Sequence, residues 1–376
     1  MTNDQRKISV FLPSLIGGGA ERVMLNLACG FVRRGVPVDL LLATAEGPYL
    51  KEVPDEIRII DLTAGRVRAS VLPLVRYLRS EKPAVLLSAL DHTNCAAVIA
   101  RNLAKAATQV AITLHNTPSE KTKQSPTYRK FLGQRVVRYT HARADIIIAV
   151  SAGVAADYAE LYKTPATKIE VIFNPVISPR MLAQSRQFLD HPWFAAGQPP
   201  VLVGVGRLTE QKDFATLIEA FARVRAAGVS CRLLILGEGE LRSSLEALVR
   251  QHGLQKDVAL PGFVDNPYQY LANARLFVLS SRWEGLPTVL IEALAAGTPV
   301  VSTNCKSGPD EILECGRFGR LVPVQNVSAL AKAIIDELGK AKSLPPQNSW
   351  EQFQSSHSVD NYLKRLLTAP APPTCG

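Results

Sequence analysis

Short apolar runs recur along this 376-residue chain, and longer segments with apolar residues at helical spacing separate them. Runs of this kind predict strands buried on both faces, and their alternation with helices predicts parallel sheets covered by helices. The strands predicted in the first half are 8–12, 38–42, 84–88, 109–114 and 146–150. Those predicted in the second half are 201–205, 232–236, 258–260, 276–280 and 300–303.

Three of the predicted helices have clear boundary signals. One covers 20–31, directly after a glycine-rich loop. Another follows Asp213, whose carboxylate is expected to cap it, and stops before Gly228. The last has Pro287 in its first turn and Gly297 just past its end.

The alternation restarts after a proline-rich stretch, which predicts two domains. Five prolines lie between Asn174 and Pro200, and the chain exceeds the usual length of a single domain. We expect an N-terminal domain over 1–175, a second domain over 176–345, a C-terminal helix within 346–368 that packs back on the first domain, and a disordered tail over 369–376.

The six cysteines are scattered and include no C-x-x-C pair. This argues against a zinc site or a disulfide framework and fits a reducing compartment. The first residues contain no apolar signal region, and no apolar run approaches the length that spans a bilayer. A cytoplasmic location is therefore expected.

The excess of 43 Lys and Arg over 33 Asp and Glu is concentrated between positions 121 and 143, which contain seven basic residues and no acidic one. Apolar and aromatic residues recur there at helical spacing: Tyr128, Phe131, Leu132, Val136 and Tyr139. Such a helix favours an anionic membrane surface, with an ordinary solvated helix face as the alternative. The aromatic residues form no stacking platform, so nucleic acid is not an expected partner.

Two glutamates eight positions apart, Glu284 and Glu292, flank a predicted strand-to-helix loop. Glu292 lies within an otherwise apolar helix, where a carboxylate needs a partner. The pair either forms ion pairs with the core or accepts hydrogen bonds from sugar hydroxyls. Between them, the amides of Gly285 and Leu286 and the hydroxyl of Thr288 lie at a helix start, which suits a phosphate.

Further loops follow predicted strands, the position where doubly wound sheets bind ligands. The glycines at 17–19 allow close approach of a ligand to a helix start. Arg207 and Lys212 precede another helix, where the helix dipole disfavours cations, so a diphosphate is their expected partner. The segment 237–240 predicts a turn or a ligand contact equally well.

These motifs resemble the retaining glycosyltransferases of family four, which have the GT-B fold. The similarity runs from Gly17 to about Val322 and rests on five segments: G-R-L-T-E-Q-K-D at 206–213, E-x7-E at 284–292, G-G-A-E-R at 18–22, Asn174-Pro175, and P-G-F at 261–263. The implied fold class is α/β, with two Rossmann-like doubly wound parallel-sheet domains that face a central cleft.

The resemblance also implies roles for individual residues. Arg207 and Lys212 match the pair that holds the donor diphosphate, and Glu284 and His115 match residues near the transferred sugar, with His115 also near the acceptor. The donor-binding set is Gly18, Gly19, Gly206, Phe263, Val264, Gly285, Leu286, Thr288 and Glu292, of which Glu292 matches the ribose-binding glutamate. Asp91, His92 and Asn116 are assigned to the acceptor side. No metal and no cofactor are expected, because the nucleotide-diphosphate sugar is a co-substrate.

The implied reaction moves a hexose or N-acetylhexosamine with retention of configuration. The S-G-P-D-E-I-L segment at 307–313 is similar to N-acetylhexosamine transferases of bacterial surface glycan assembly. This implies a UDP-linked donor, a lipid-linked, lipopolysaccharide or capsule saccharide as acceptor, and a peripheral position on the inner face of the cell membrane.

Three alternatives remain. A GT-B nucleotide-sugar epimerase would need catalytic carboxylates in the first domain, which are not evident. A non-catalytic sugar-nucleotide or glycan-binding protein is disfavoured by the presence of Arg207, Lys212, Glu284 and Glu292. A dehydrogenase is disfavoured because the glycines at 17–19 do not follow G-x-G-x-x-G.

Overall fold

The computed structural model describes residues 7–123 and 127–368, with side chains described outside 121–132. The chain divides into two compact units. The first extends to Pro175 and takes up the chain again from Ser355, and the second is Val176–Gln354. The tail predicted over 369–376 lies outside the described residues.

The first unit contains a parallel sheet with the strand order β3-β2-β1-β4-β5-β6-β7. Its strands are β1 Ile8–Leu12, β2 Val38–Leu42, β3 Arg58–Asp61, β4 Val85–Ala89, β5 Gln109–Leu114, β6 Ile146–Ala149 and β7 Ile169–Val171. Its helices are α1 Gly19–Arg33, α2 Val71–Glu81, α3 Asp91–Ala104, α4 Pro118–Lys123, α5 Thr127–His141, α6 Ala152–Tyr162 and α14 Ser355–Thr368.

The last helix, α14, packs on α1 in the first unit. Its residues Val359, Tyr362 and Leu366 join the same buried core as Phe31. A Cβ atom at Gly30 would overlap Val359, so this glycine allows the two helices to approach closely. The helix starts at Ser355, while residues 346–354 contain two 3-10 turns and a β-bridge between Gln354 and Ile177, and they belong to the second unit.

The second unit contains another parallel sheet, with the strand order β10-β9-β8-β11-β12-β13. Its strands are β8 Val201–Val205, β9 Arg232–Leu236, β10 Val258–Gly262, β11 Leu276–Leu279, β12 Val300–Thr303 and β13 Arg320–Val322. Its helices are α7 Pro179–Ser185, α8 Phe214–Ala226, α9 Arg242–Gln251, α10 Pro267–Asn273, α11 Thr288–Ala295, α12 Pro309–Ile312 and α13 Val327–Leu338.

The predicted parallel α/β architecture is confirmed, and each predicted strand is present to within two residues at either end. Three strands, β3, β7 and β13, were not predicted. All three are short outer strands of their sheets and carry charged residues, such as Arg58, Glu170 and Arg320. An outer strand has one neighbour and a partly solvated surface, so its sequence lacks the continuous apolar run of a central strand.

Candidate active site

The strand order of each sheet reverses once: between β1 and β4 in the first unit, and between β8 and β11 in the second. Connections that leave two adjacent strands in opposite directions open a crevice, where doubly wound sheets bind ligands. Residues 206–213 follow β8, and Glu284 lies on the loop after β11. The predicted residues on these two loops therefore lie at the switch point of the second unit.

An ion pair joins these two loops. Lys212 Nζ lies 2.6 Å from Glu284 Oε1, and the two side chains are only 18% and 7% exposed. Ser281 Oγ donates a 2.6 Å hydrogen bond to the same oxygen, and Gln211 Nε2 lies 3.4 Å from Oε2. These donors offset the cost of withdrawing the carboxylate from water and fix its position.

Arg207, on the same loop as Lys212, is exposed. Among the residues that the structure describes, none forms a side-chain hydrogen bond or ion pair with its guanidinium group. The neighbouring Gly206 packs against Lys212, since a Cβ atom there would lie 3.1–3.2 Å from the lysine side-chain carbons. The loop thus holds one paired cation and one cation that is available to an anionic ligand.

The glycines of the segment 237–240 pack against the backbone of the loop 206–208. A Cβ atom at Gly237 would overlap the carbonyl oxygen of Gly206, and one at Gly239 would overlap the backbone of Leu208. Leu208 N also donates to Glu238 O at 2.9 Å. The close approach that these glycines allow is therefore made by the loop 206–208.

The segment 285–288 lies beside the ion pair. Gly285 and Leu286 are buried, and α11 begins at Thr288. Gly308, at φ +94°, packs against this segment, because a Cβ atom there would overlap Pro287. Glu284 N donates to Lys306 O at 3.2 Å. The S-G-P segment after β12 therefore supports the backbone that carries Glu284.

The other predicted donor-binding residues lie further along the second unit. Glu292 is half-buried on α11, which otherwise presents mainly buried apolar residues. Phe263 and Val264 follow β10, two strands away from β8, and Phe263 is 67% exposed. The structure places Gly206, Lys212 and Glu284 in one cluster, and it places the pair 263–264 beyond the end of an outer strand.

In the first unit, the glycine loop connects β1 to α1 at the switch point. Gly17 has φ +121°, which favours glycine. A Cβ atom at Gly18 would overlap the carboxylate of Glu21, whereas one at Gly19 would have open space around it. Gly17 is thus favoured by its backbone conformation, whereas Gly18 meets only the end of the flexible Glu21 side chain. The start of α1 at Gly19 is exposed.

His115 directly follows β5 and is half-buried. Its Nε2 lies 2.9 Å from Thr113 Oγ1, and that hydroxyl donates at 2.9 Å to the carbonyl of Ser88. Because the single hydroxyl proton is used there, Nε2–H is assigned as the donor to Thr113, which leaves Nδ1 as an acceptor. Desolvation lowers the pKa of His115 to about 4, so the ring is neutral at pH 7.

The three residues assigned to the acceptor side follow strands of the first sheet. Asp91 and His92 form the start of α3, after β4, and Asn116 follows β5. His92 and Asn116 are exposed, and Asp91 is half-buried. Since β4 and β5 are adjacent, these residues and His115 lie beyond the carboxyl ends of neighbouring strands.

The basic stretch 121–143 falls on α4 and α5, with residues 124–126 outside the described chain. Where side chains are described, Val136 is 44% exposed and Tyr139 is 62% exposed. Arg135, Arg138 and Arg143 are also exposed, and the Arg143 guanidinium lies 3.6 Å from the centre of the Tyr139 ring. The described part of α5, together with Arg143 just past its end, thus presents arginines and apolar side chains to solvent.

No helix in the described ranges combines the length and apolar character needed to cross a membrane. Within those same ranges, no three His, Cys, Asp or Glu side chains gather closely enough to hold a metal ion.

Comparison with known proteins identifies the family. A family model described as glycosyl transferases group 1 matches residues 185–351, and one described as glycosyltransferase family 4 matches residues 17–178. A lipopolysaccharide core biosynthesis glycosyltransferase of Rhizobium meliloti is 30% identical over 94% of this chain and 97% of its own length. This chain belongs to the group 1 glycosyltransferases.

Another relative of this glycosyltransferase is the N-acetylgalactosamine-N,N'-diacetylbacillosaminyl-diphospho-undecaprenol 4-alpha-N-acetylgalactosaminyltransferase of Campylobacter jejuni, which is 28% identical over 96% of this chain and 100% of its own length. Two solved structures share the fold at 19% identity. The lipopolysaccharide outer core galactosyltransferase WaaB has a TM-score of 0.71 (96% of this chain, 99% of its own), and Anabaena HepE in complex with UDP has one of 0.68 (96% of both). The fold is GT-B, and the protein is an enzyme that transfers glycosyl groups.

Sequence reasoning on this glycosyltransferase was wrong about Asp213. Its carboxylate accepts no capping hydrogen bond from a backbone N–H of the first turn of α8, and its backbone is left-handed, at φ +46°. Thr216 Oγ1 donates to the carboxylate at 2.8 Å, and Arg282 Nε lies 3.1 Å from it. The long-range ion pair therefore replaces the local cap that the sequence pattern predicted.

Several supporting residues were not predicted as site residues. Gln211, Ser281 and Arg282 contact the loops of the second unit, and Thr113 orients His115. Gln211, Ser281 and Arg282 lie inside or next to the quoted motifs, so position in the motif was the available signal. Thr113 lies within a buried strand, where nothing in the sequence separates it from a structural threonine.

Proposed function

We propose that this glycosyltransferase moves a hexose or N-acetylhexosamine from a UDP-linked donor to a lipid-linked, lipopolysaccharide or capsule saccharide, with retention of anomeric configuration. The observation that carries the proposal is the arrangement at the switch point of the second sheet. There Lys212 is held against Glu284 at 2.6 Å, while Arg207, five positions earlier on the same loop, is exposed.

The two cations suit a departing diphosphate. As the bond between the anomeric carbon and the diphosphate oxygen breaks, negative charge grows on the phosphate oxygens. The Lys212 ammonium has three N–H donors, so it can keep its bond to Glu284 and also donate to a phosphate oxygen. Each charge-assisted contact would contribute about 1.5–3 kcal/mol, and it strengthens as the charge develops.

Different groups accept the proton of the acceptor hydroxyl and bind the hydroxyls of the donor. In the proposed front-face mechanism, the acceptor hydroxyl attacks the anomeric carbon from the side that the diphosphate leaves. Its proton passes to an oxygen of the leaving diphosphate, so no protein carboxylate has to act as a nucleophile. Glu284 would accept hydrogen bonds from sugar hydroxyls, and Glu292 from the ribose hydroxyls.

His115 is proposed to contact the sugar and acceptor as a neutral ring. Its Nε2 is engaged with Thr113 at 2.9 Å, which leaves Nδ1 to accept a hydrogen bond from a hydroxyl group. A pKa of about 4 keeps this acceptor unprotonated at neutral pH. Gly18 and Gly19 would contribute the uncovered start of α1 to the diphosphate.

The names of the relatives support the proposed substrates. The Campylobacter relative is named for transfer of N-acetylgalactosamine to a diphospho-undecaprenol-linked saccharide, and the Rhizobium relative for lipopolysaccharide core biosynthesis. The HepE structure contains UDP. These names favour a UDP-sugar donor and an acceptor carried on a lipid.

An acceptor of this kind places the enzyme at a membrane, and α5 is the proposed contact. Charge reversal of Arg135 and Arg138 should weaken sedimentation with anionic phosphatidylglycerol vesicles, but not with neutral phosphatidylcholine vesicles. Charge reversal of the exposed Lys332, on α13, is the control. Equal sedimentation of all variants would leave α5 as a solvated surface.

The donor assignment is tested first by calorimetric binding of UDP, GDP, ADP, NAD and a panel of UDP-sugars that includes UDP-N-acetylgalactosamine and UDP-N-acetylglucosamine. Binding of UDP, with slow hydrolysis of one UDP-sugar in the absence of acceptor, is expected. Binding of GDP or ADP alone would reject the UDP donor, and binding of none of the nucleotides would reject donor use by this site.

A further inference from the structure

Arg282 connects the two loops that carry the proposed diphosphate cations and Glu284. Its Nη1 donates to Glu210 Oε1 at 2.6 Å, and its Nε lies 3.1 Å from Asp213 Oδ2. Its backbone N–H donates to Gln211 O at 2.8 Å. One arginine on the loop after β11 thus contacts three residues of the loop after β8.

Two further hydrogen bonds join the same two loops. Gln211 Nε2 donates to Trp283 O at 3.0 Å, and Ser280 Oγ donates to Lys212 O at 2.8 Å. The backbone of Lys212 is therefore fixed from the neighbouring loop, independently of the ion pair that its ammonium forms with Glu284.

Asp213 is the member of this set that most depends on Arg282. Its side chain is 2% exposed, whereas that of Glu210 is 61% exposed. A buried carboxylate requires a compensating charge, and Asp213 also holds a left-handed backbone conformation that is unfavourable for a non-glycine residue. Loss of the arginine would leave this buried carboxylate, at the residue next to Lys212, without the cation that lies 3.1 Å from it.

We infer that Arg282 is a positioning residue for donor turnover: through Asp213 and Glu210 it holds the loop 206–213 so that Lys212 reaches the donor diphosphate. This rests on the proposed function of Lys212. Arg282 itself is not assigned a contact with the donor, so its effect on the reaction should pass through Lys212.

A double-mutant cycle tests this dependence. Arg282→Gln should lower the rate of UDP-sugar turnover about tenfold in the wild-type background. In a Lys212→Ala background the same substitution should lower the remaining rate less than about twofold, because the group that it positions is absent. Arg282→Lys, which can reach one carboxylate, should give an intermediate rate.

Arg225→Gln is the matched control. Arg225 pairs with Asp257 at 3.1 Å and, like Arg282, has a side chain that is 29% exposed, but it lies away from the switch point. Equal effects of Arg225→Gln and Arg282→Gln on turnover and on thermal unfolding would show a purely structural role and overturn the inference. If Arg282→Gln lowers turnover by the same factor in the wild-type and Lys212→Ala backgrounds, Arg282 contacts the donor separately. That result would also overturn the inference.

Glu210→Gln keeps the inference testable if Arg282→Gln fails to fold, since Glu210 is exposed. It should lower turnover about twofold in the wild-type background and have no effect with Lys212→Ala. Calorimetric titration with UDP distinguishes a failure of the proposed function from a failure of the positioning role. A wild-type protein that binds no UDP contradicts the proposed donor, whereas UDP binding and turnover that are the same in wild type and Arg282→Gln contradict the positioning role alone.

Discussion

Two charged networks lie at opposite ends of strands in the two units. At the starting ends of β1, β2 and β3, Lys7 Nζ lies 3.2 Å from Asp39 and 2.6 Å from Glu81, and Arg58 Nη2 lies 2.6 Å and 2.7 Å from the same two carboxylates. Two cations and two anions therefore cancel. Beyond the carboxyl ends of β8 and β11, Lys212 and Glu284 cancel, but Arg207 on the same loop is exposed.

The difference shows which of two similar clusters is equipped for a ligand. In the first, Tyr77 Oη also donates to Asp39 at 2.5 Å, so the most buried carboxylate has several donors within the protein. The second lies where doubly wound sheets bind ligands, and its exposed Arg207 forms no side-chain hydrogen bond or ion pair with any residue that the structure describes. Burial and ion pairing are common to both, so the strand end and the presence of a cation without a side-chain partner distinguish them.

The largest expected effect is on stability at the first network. Asp39→Asn should lower the free energy of unfolding of the first unit by about 3 kcal/mol, because it breaks a buried charge network from one side. All three tryptophans, Trp193, Trp283 and Trp350, belong to the second unit, so urea unfolding should be followed by circular dichroism. Donor turnover in the absence of urea should stay within about twofold of wild type. A large loss of turnover with unchanged stability would show that the first network takes part in the reaction, contrary to its assignment as a structural network.

At the second network, Lys212→Ala should lower turnover about a hundredfold, the loss expected when one donor to a developing negative charge is removed. It should also lower stability, because the buried Glu284 carboxylate loses its 2.6 Å ion pair. Fluorescence of Trp283, adjacent to Glu284, can follow unfolding of this unit. The matched control is Lys332→Ala, an exposed lysine on α13; equal rates in the two variants would contradict the diphosphate role.

The comparison also explains what the sequence could predict. Central strands such as β1 and β8 are apolar along their length, so their positions follow from composition alone. The residues Arg207, Lys212 and Glu284 were found because they follow such strands and match a family motif. The cluster of Lys7, Asp39, Arg58 and Glu81 was not predicted, because its members are distant in the chain and only the sheet order brings their strands together.

The same limit applies within the site. Asp213 was predicted to cap α8, since a helix start is the nearest feature in sequence. The side chain that in fact pairs with it, Arg282, is 69 positions away. Local patterns report local competition between conformations, whereas a buried carboxylate selects whichever cation the fold brings within reach.

A smaller effect is expected from the exposed cation. Arg207→Ala should lower turnover at least about tenfold, equivalent to about 1.4 kcal/mol, while the free energy of unfolding stays within about 0.5 kcal/mol of wild type. Unlike Lys212→Ala, this substitution leaves no buried charge behind. Arg250→Ala, an exposed arginine on α9, is the control. A wild-type rate for Arg207→Ala would remove this residue from the diphosphate site.

The smallest effect concerns pH and sharpens the comparison further. Burial alone would raise the pKa of Asp39, but hydrogen bonds from Arg58 and Tyr77 and the charge of Lys7 outweigh it and lower the pKa. Hydrogen bonds from Arg58 and Lys7 also lower the pKa of Glu81. Carboxylates of this kind stabilise the fold above their unfolded pKa of about 4, and this stabilisation is lost as pH falls through the folded value.

Stability of the first unit should therefore fall between about pH 5 and pH 3, and Asp39→Asn should make that fall shallower. Urea midpoints by circular dichroism at each pH give the measurement. Lys7 does not contribute to the pH dependence of stability in this range. Its pKa is raised, so its contribution to stability changes only as pH rises past about 10. Parallel acid limbs in wild type and Asp39→Asn would mean that carboxylates elsewhere in the unit carry the pH dependence, and that this balanced network is only a packing feature.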